Sequence, residues 1–190
     1  MDIIENKKEN ILISAEEIAE KIKELGEKLS KDYKGKKLYV LSLLRGSFIF
    51  TADLVRHIEV PVKIGFMATS SYGHSETSNG NVKIVQDIAD NLEGYDVLIV
   101  DDIVDTGITM KFVMEYINTK NPASVKSCVL LDKPERRKVE LVPDYCCFTI
   151  PDVFVVGYGL NYGDYYRNKP YIFNWEDKWL LRCLNHEAAF

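Results

Sequence analysis

The sequence predicts an α/β fold, an open, mostly parallel twisted sheet flanked by helices. Two observations carry this. Runs such as KLYVLSLL (37–44) and DVLIVDD (96–102) are apolar on both faces, as strands covered on each side require. Amphipathic segments alternate with these runs, which is the pattern of parallel strands joined by crossover helices. In such sheets a ligand binds outside the carboxyl ends of the strands, so those ends are where functional residues are sought.

In chain order, Ser14-Ala-Glu-Glu17 is a capping box, and Ile18, Ile22, Leu25 and Leu29 follow at helical spacing. A helix is expected over about 14–31. After the strand at 37–44, Arg45-Gly46-Ser47 turns into a second helix, SFIFTADLVRHI. PVKIGFMAT (61–69) reads as a strand. SSYGHSETSNGN (70–81) has no aliphatic residue, and a polar loop of that length inside a compact domain is usually functional or disordered. Strands are expected again at VKIVQDI (82–88) and DVLIVDD (96–102), the latter followed by a turn and a helix to about Asn118. Further strands are expected at SVKSCVLLDK (124–133), YCCFTI (145–150) and FVVGYG (154–159). Leu44–Ser47, Asp101–Thr109, Leu131–Lys133 and Tyr158–Asn161 then lie at strand carboxyl ends and should converge on one crevice. The aromatic tail after Arg167 gives no clear pattern.

Bulk properties narrow the function classes. The 190 residues suit a single domain with a substantial core. A net charge of −5 argues against a nucleic-acid partner, since such modules are usually basic. No stretch approaches ~18 continuous apolar residues, so no membrane span is expected. The opening MDIIENKKEN lacks the plan of a secretory leader. Cys128, Cys146, Cys147 and Cys183 show no CxxC spacing, which suits reduced thiols in a cytoplasmic protein.

The most informative stretch is VLIVDDIVDTGITMKFV (97–113), which puts Asp101, Asp102 and Asp105 at the end of a hydrophobic strand. Like charges this close repel and raise each other's pKa. They persist where a cation, a poly-hydroxyl ligand or a proton transfer uses them. Thr106 and Thr109 offer hydroxyls, Gly107 admits a close ligand, and the helix start presents unpaired N–H groups with a positive dipole end. Together these form a phosphate cradle. A carboxylate pair beside it suits ribose hydroxyls or Mg²⁺. The DTG triplet also occurs in aspartic proteases, but their fold is all-β and the triplet there does not enter a helix. Phosphate-accepting receiver domains carry the acceptor Asp on another strand and lack this Thr/Gly cradle. A helix N-cap at Asp105 with a solvated strand end explains one aspartate, not the constellation.

VLIVDDIVDTGITM resembles the ribose-phosphate (PRPP) signature of type I phosphoribosyltransferases. LLRGSF (43–48), SSYG (70–73), LLDKPERR (130–137), IPDVFVVGYGL (150–160) and YYRN (165–168) resemble blocks of the hypoxanthine-guanine phosphoribosyltransferases. The resemblance runs from about Ile11 to Ile172. It implies a parallel-sheet core over about 35–150, a small hood from about 1–34 and 151–190, and a mobile lid over about 70–81. It also implies transfer of the phosphoribosyl group of PRPP to hypoxanthine or guanine, with Mg²⁺ as cofactor and a homo-oligomer, dimer or tetramer, as the assembly.

Residue by residue, the resemblance makes Asp105 the general base at the purine imidazole edge. Asp101 and Asp102 hold the ribose hydroxyls and Mg²⁺. Ile103, Asp105, Thr106, Gly107, Ile108 and Thr109 complete the PRPP site, with Ile108 acting through its backbone. Arg45, Gly46, Ser71, Tyr72 and Arg167 are matched to pyrophosphate, with a non-proline cis peptide expected before Arg45. Lys133, Phe154, Val155 and Asn161 are matched to the purine. Lys133 is donor-only and therefore selects a 6-oxo group over the amino group of adenine. Phe154 is expected to stack on the base. Asn161 stands where the family usually has an Asp that helps bind a second Mg²⁺, so weaker second-metal binding is expected. Xanthine as the base and a non-catalytic PRPP-sensing regulator are the alternatives. Such regulators usually add a DNA-binding domain or a basic RNA-binding face, and with 190 residues and a net charge of −5 neither is expected here.

Overall fold

The computed structural model describes residues 10–71, 82–163 and 165–175. In chain order its elements are β1 (Asn10–Ile13), α1 (Ala15–Asp32), β2 (Leu38–Leu44), α2 (Phe48–Val55), β3 (Val62–Ser71) and β4 (Val82–Gln86). They continue with β5 (Asp96–Val104), α3 (Ile108–Asn118), β6 (Ser124–Asp132), a 3-10 turn (Pro134–Arg136), β7 (Tyr145–Thr149), β8 (Val155–Val156) and β9 (Ile172–Asn174). Among the described residues six strands form one sheet in the order β4-β3-β2-β5-β6-β7, parallel throughout except for the β3–β4 pair. A smaller antiparallel sheet has the order β1-β9-β8.

Successive side chains of a strand point to opposite faces. Leu38, Val40, Leu98, Val100, Cys128 and Leu130 accordingly pack with α1 and α2 on one side. Tyr39, Leu41, Leu43, Val97, Ile99 and Val129 pack with Met110, Val113 and Ile117 of α3 on the other. The capping box of α1 is formed: the Ser14 N–H donates to the Glu17 carboxylate (2.8 Å) and the Glu17 N–H to Ser14 Oγ (3.2 Å). Its buried Ile18, Ile22, Leu25 and Leu29 each contribute roughly 1.5–3 kcal/mol by leaving water. No helix among the described residues is long and apolar enough to cross a membrane.

From β2 the chain crosses through α2 to β3 on one side, and from β5 through α3 to β6 on the other. The strand order therefore reverses between β2 and β5, and their carboxyl ends border the crevice where open α/β sheets bind ligands.

Strand β4 ends at Gln86, two residues short of the expected Ile88. Four other elements depart from the expected bounds, each for a physical reason. Helix α2 stops at Val55 rather than running to Ile58. The next amides bond three residues back (His57 to Leu54, Ile58 to Val55), and Pro61 disfavours helix in the residue before it. Strand β3 runs on through Ser71, because Ser70 and Ser71 pair with Lys83 and Val82 of β4. Strand β5 runs to Val104, held by the pairing of Ile103 and Val104 with Leu131 and Asp132, so Asp101 and Asp102 lie inside the strand. The strand expected over FVVGYG shrinks to Val155–Val156 and joins the small sheet. Gly157, Tyr158 and Gly159 all have positive φ (105°, 48° and 100°), which no strand can carry. Tyr158–Asn161 thus approaches the crevice as a loop, not as a strand end of the large sheet.

Candidate active site

At the end of β5 each acidic side chain is tied to the following amide. The Asp102 N–H donates to Asp101 Oδ1 (3.0 Å) and the Ile103 N–H to Asp102 Oδ1 (2.9 Å). Burial first, and then the Asp102 charge, push Asp101 well above the usual carboxylate range. Burial also raises Asp102, opposed by its hydrogen bonds and by the positive charge of Arg167. Two oxygen-donor groups that resist ionisation side by side are a fit for a hard cation, whose charge relieves both penalties.

This has a consequence for stability. The folded state binds the Asp101 proton more tightly than the unfolded chain does, so this group's contribution to stability falls as pH rises from the ordinary carboxylate range towards the raised value. Asp101→Asn removes that cost. The metal-free variant is expected to melt above the wild type at neutral pH. A calorimetric scan in which it melts lower would contradict this.

Beyond β5 the chain enters α3 through Asp105, Thr106 and Gly107. Gly107 sits at the N-cap with φ 81°, a left-handed conformation that costs little only without a Cβ. The Ile108 N–H faces Thr106 Oγ1 at 3.4 Å. Asp101, Ile103, Val104, Asp105, Thr106, Gly107, Thr109 and Met110 line a hollow of about 120 Å³ at this helix start. Amides of a first turn lack intrahelical partners and carry the positive end of the dipole, so the hollow favours an anion.

The neighbouring β2 end supplies Arg45 and Gly46, and the Leu44–Arg45 peptide bond is cis, as expected. A buried hydroxyl cluster holds this turn: Ser47 Oγ donates to the Leu43 carbonyl (2.5 Å), and Ser42 Oγ lies 2.8 Å from Ser47 Oγ and 2.9 Å from Thr51 Oγ1. Gly46 then passes so close to β5 that a Cβ there would lie 1.7 Å from Asp102 Oδ2. From the other side, a Cβ on Gly159 would lie 2.1 Å from the Gly46 carbonyl oxygen. Arg167 Nη1 donates to the Gly159 carbonyl (2.5 Å). One contiguous stack therefore runs from Asp102 through Gly46 and Gly159 to Arg167, while the Arg45 side chain is exposed.

The far end of the crevice is built from β6 and the segment after β7. Lys133 is buried; its amide donates to the Val104 carbonyl (2.9 Å), and its Nζ donates to the Val153 carbonyl (2.5 Å) and lies 3.9 Å from Asp152. Phe154 is 53% exposed, so it is not an ordinary core aromatic. Its ring meets Tyr162 edge-on at 6.1 Å, and Tyr162 stacks on Trp175 at 4.3 Å. Val155 is buried in β8. The Asn161 amide nitrogen donates to the Gly163 carbonyl, which leaves its oxygen as the atom that could face a cation. Ser71 ends β3, and Tyr72 and the rest of the polar loop to residue 81 lie outside the described residues.

A family model for the phosphoribosyl transferase domain matches residues 10–163. The hypoxanthine-guanine phosphoribosyltransferase of Lactococcus lactis is 51% identical over 164 residues, covering 86% of this chain and 89% of the relative. The chain belongs to the hypoxanthine-guanine phosphoribosyltransferase family. The Bacillus subtilis enzyme of that name is 44% identical over 164 residues, covering 86% and 91%. A crystal structure of a hypoxanthine phosphoribosyltransferase from Staphylococcus aureus superposes with a TM-score of 0.86 at 42% identity, covering 89% of this chain and 92% of that one. A Trypanosoma cruzi hypoxanthine phosphoribosyltransferase in a ternary substrates complex gives 0.83 at 44% identity, covering 88% and 95%.

Within this member of the family, two groups of site residues escaped the sequence reading. Ser42, Ser47 and Thr51 shape the Arg45-Gly46 turn; the signal available was a lone polar Ser42 in the apolar run LYVLSLL. Arg136 and Arg137 reach back to Asp105, as Arg136 Nε lies 2.8 Å from Asp105 Oδ1 and Arg137 Nη1 donates to the Asp105 carbonyl (2.7 Å). Their signal was the arginine pair just after Lys133 in LLDKPERR.

Proposed function

We propose that the chain transfers the 5-phosphoribosyl group of PRPP to hypoxanthine or guanine, giving IMP or GMP and pyrophosphate in purine salvage. The observation that carries this reading is the single crevice at the β2/β5 reversal. There an acidic pair, a hollow at a helix start and a buried lysine lie on adjoining elements. Membership of the family supports it.

In this reading, Asp105 to Thr109 hold the 5′-phosphate through amides and hydroxyls. Asp101 and Asp102 bind the ribose hydroxyls as positive charge develops on the sugar. Arg45, Arg167 and the Gly46 amide hold the departing pyrophosphate. Asp105 accepts the proton from the purine imidazole edge as the ring nitrogen bonds to C1 of the ribose. Lys133 donates to the 6-oxo group, Phe154 stacks on the base, and the Val155 backbone reads the edge near C2. Asp101 and Asp102 would hold Mg²⁺, which would neutralise the pyrophosphate as a leaving group, and the uncharged Asn161 would hold a second Mg²⁺ only weakly. Ser71 and Tyr72 contact the pyrophosphate, and the lid expected over about 70–81, most of it outside the described residues, would exclude water. The free thiols Cys128, Cys146 and Cys147 support a cytoplasmic location. Exposed Ile64 and Phe66 on β3 support a homo-oligomer.

Lys133→Gln should relax the rejection of adenine, because the amide oxygen accepts from the 6-amino group. The expected change is about 1–3 kcal/mol in relative kcat/KM for adenine against hypoxanthine. Unchanged discrimination would move the determinant elsewhere. The function itself is tested by incubation with PRPP, Mg²⁺ and, separately, hypoxanthine, guanine, xanthine and adenine. IMP and GMP are expected, and turnover of xanthine or adenine alone would refute the assignment.

A further inference from the structure

We propose that Arg136 is a positioning residue, holding the Asp105 carboxylate by one oxygen so that the other faces the purine. This rests on the reading of Asp105 as the base. Arg136 ends the 3-10 turn that follows Lys133. Its Nε lies 2.8 Å from Asp105 Oδ1, an atom shielded from solvent, and the contact is ionic, without the alignment of a hydrogen bond. Its Nη1 lies 3.4 Å from both carboxylate oxygens of Asp152, two residues before Phe154. The guanidinium thus spans the two segments that would approach the base from either side, and a planar fork with separate donor edges is suited to that.

The neighbouring residues act on the same target. Arg137 Nη1 donates to the Asp105 carbonyl (2.7 Å) and the Lys138 amide to the Thr106 carbonyl (2.9 Å). Three successive residues therefore hold the side chain of Asp105, its carbonyl and the next carbonyl. Arg136 and Asp105 side chains are 47% and 40% exposed, and ion pairs that open to water add little to stability. Loss of Arg136 should accordingly register in the reaction and not in folding.

The test is steady-state kinetics with hypoxanthine and PRPP for wild type, Arg136→Gln, Arg136→Lys, Asp105→Asn and the Arg136→Gln/Asp105→Asn double variant, with melting temperatures alongside. Arg136→Gln should lower kcat about tenfold through misplacement of the base, with KM for PRPP and melting temperature near wild type. Arg136→Lys keeps a cation and should recover most of the loss. In the Asp105→Asn background, Arg136→Gln should add nothing. Wild-type kcat in Arg136→Gln, or an undiminished further loss in the double variant, would overturn the proposal while leaving the Asp105 reading intact. Wild-type kcat in Asp105→Asn would instead overturn that reading, and the proposal with it.

Discussion

Asp105→Asn should lower kcat for IMP formation by roughly 10²–10⁴-fold, the usual contribution of a positioned general base. The amide keeps the shape of the carboxylate and loses the ability to take a proton. The hollow beside it is also lined by Asp101, Ile103, Val104, Thr106, Gly107, Thr109 and Met110, none of which the substitution alters. The Asp105 carbonyl stays anchored by Arg137 in the variant. KM for PRPP should therefore change little. Comparable losses in kcat and in PRPP affinity would mean that Asp105 places the donor instead of moving a proton.

Gly46→Ala should be nearly as damaging, by a different route. The added methyl would sit 1.7 Å from Asp102 Oδ2 and 2.4 Å from its Cγ, so one of the two segments has to move. Asp102 is tethered to the Ile103 amide, and the Gly46 carbonyl is pressed by Gly159 from the opposite side. Relief on either side displaces the acid proposed to bind ribose and metal. Displacements of about 1 Å at a reacting centre can cost on the order of 10²-fold, so kcat/KM for PRPP is expected to fall by about that factor. Calorimetric titration of Mg²⁺ and PRPP should show the loss as weakened binding. Wild-type binding would show that the crevice accommodates the methyl, and the close Gly46–Asp102 approach would have no functional meaning.

Local chemistry was legible in the sequence where neighbours in the chain are neighbours in space. The Asp101–Thr109 run could be read as strand, acidic pair, glycine turn and helix start because all of those signals are sequential. The capping box at Ser14–Glu17 was legible for the same reason. Contacts across the fold were not. Nothing in LLRGSF says that Gly46 will touch Asp102, or in GYGL that Gly159 will touch Gly46; both depend on how the carboxyl ends of β2 and β5 and the 157–160 loop converge. The move of Val155–Val156 into the small sheet was hidden because two apolar β-branched residues suit either sheet, and the positive φ values at 157–159 decided it. The end of α2 at Val55 is not visible in the pattern, because apolar Ile58 keeps the helical spacing while the amides of His57 and Ile58 bond three residues back.

Phosphoribosyl transfer makes one nucleotide for each pyrophosphate released, which hydrolysis of PRPP does not. Phosphorus NMR of the protein with PRPP, Mg²⁺ and hypoxanthine should therefore show IMP and pyrophosphate growing in at equal rates as PRPP disappears, with no change when hypoxanthine is omitted. Pyrophosphate released together with ribose 5-phosphate, with no IMP resonance, would contradict transfer to the purine.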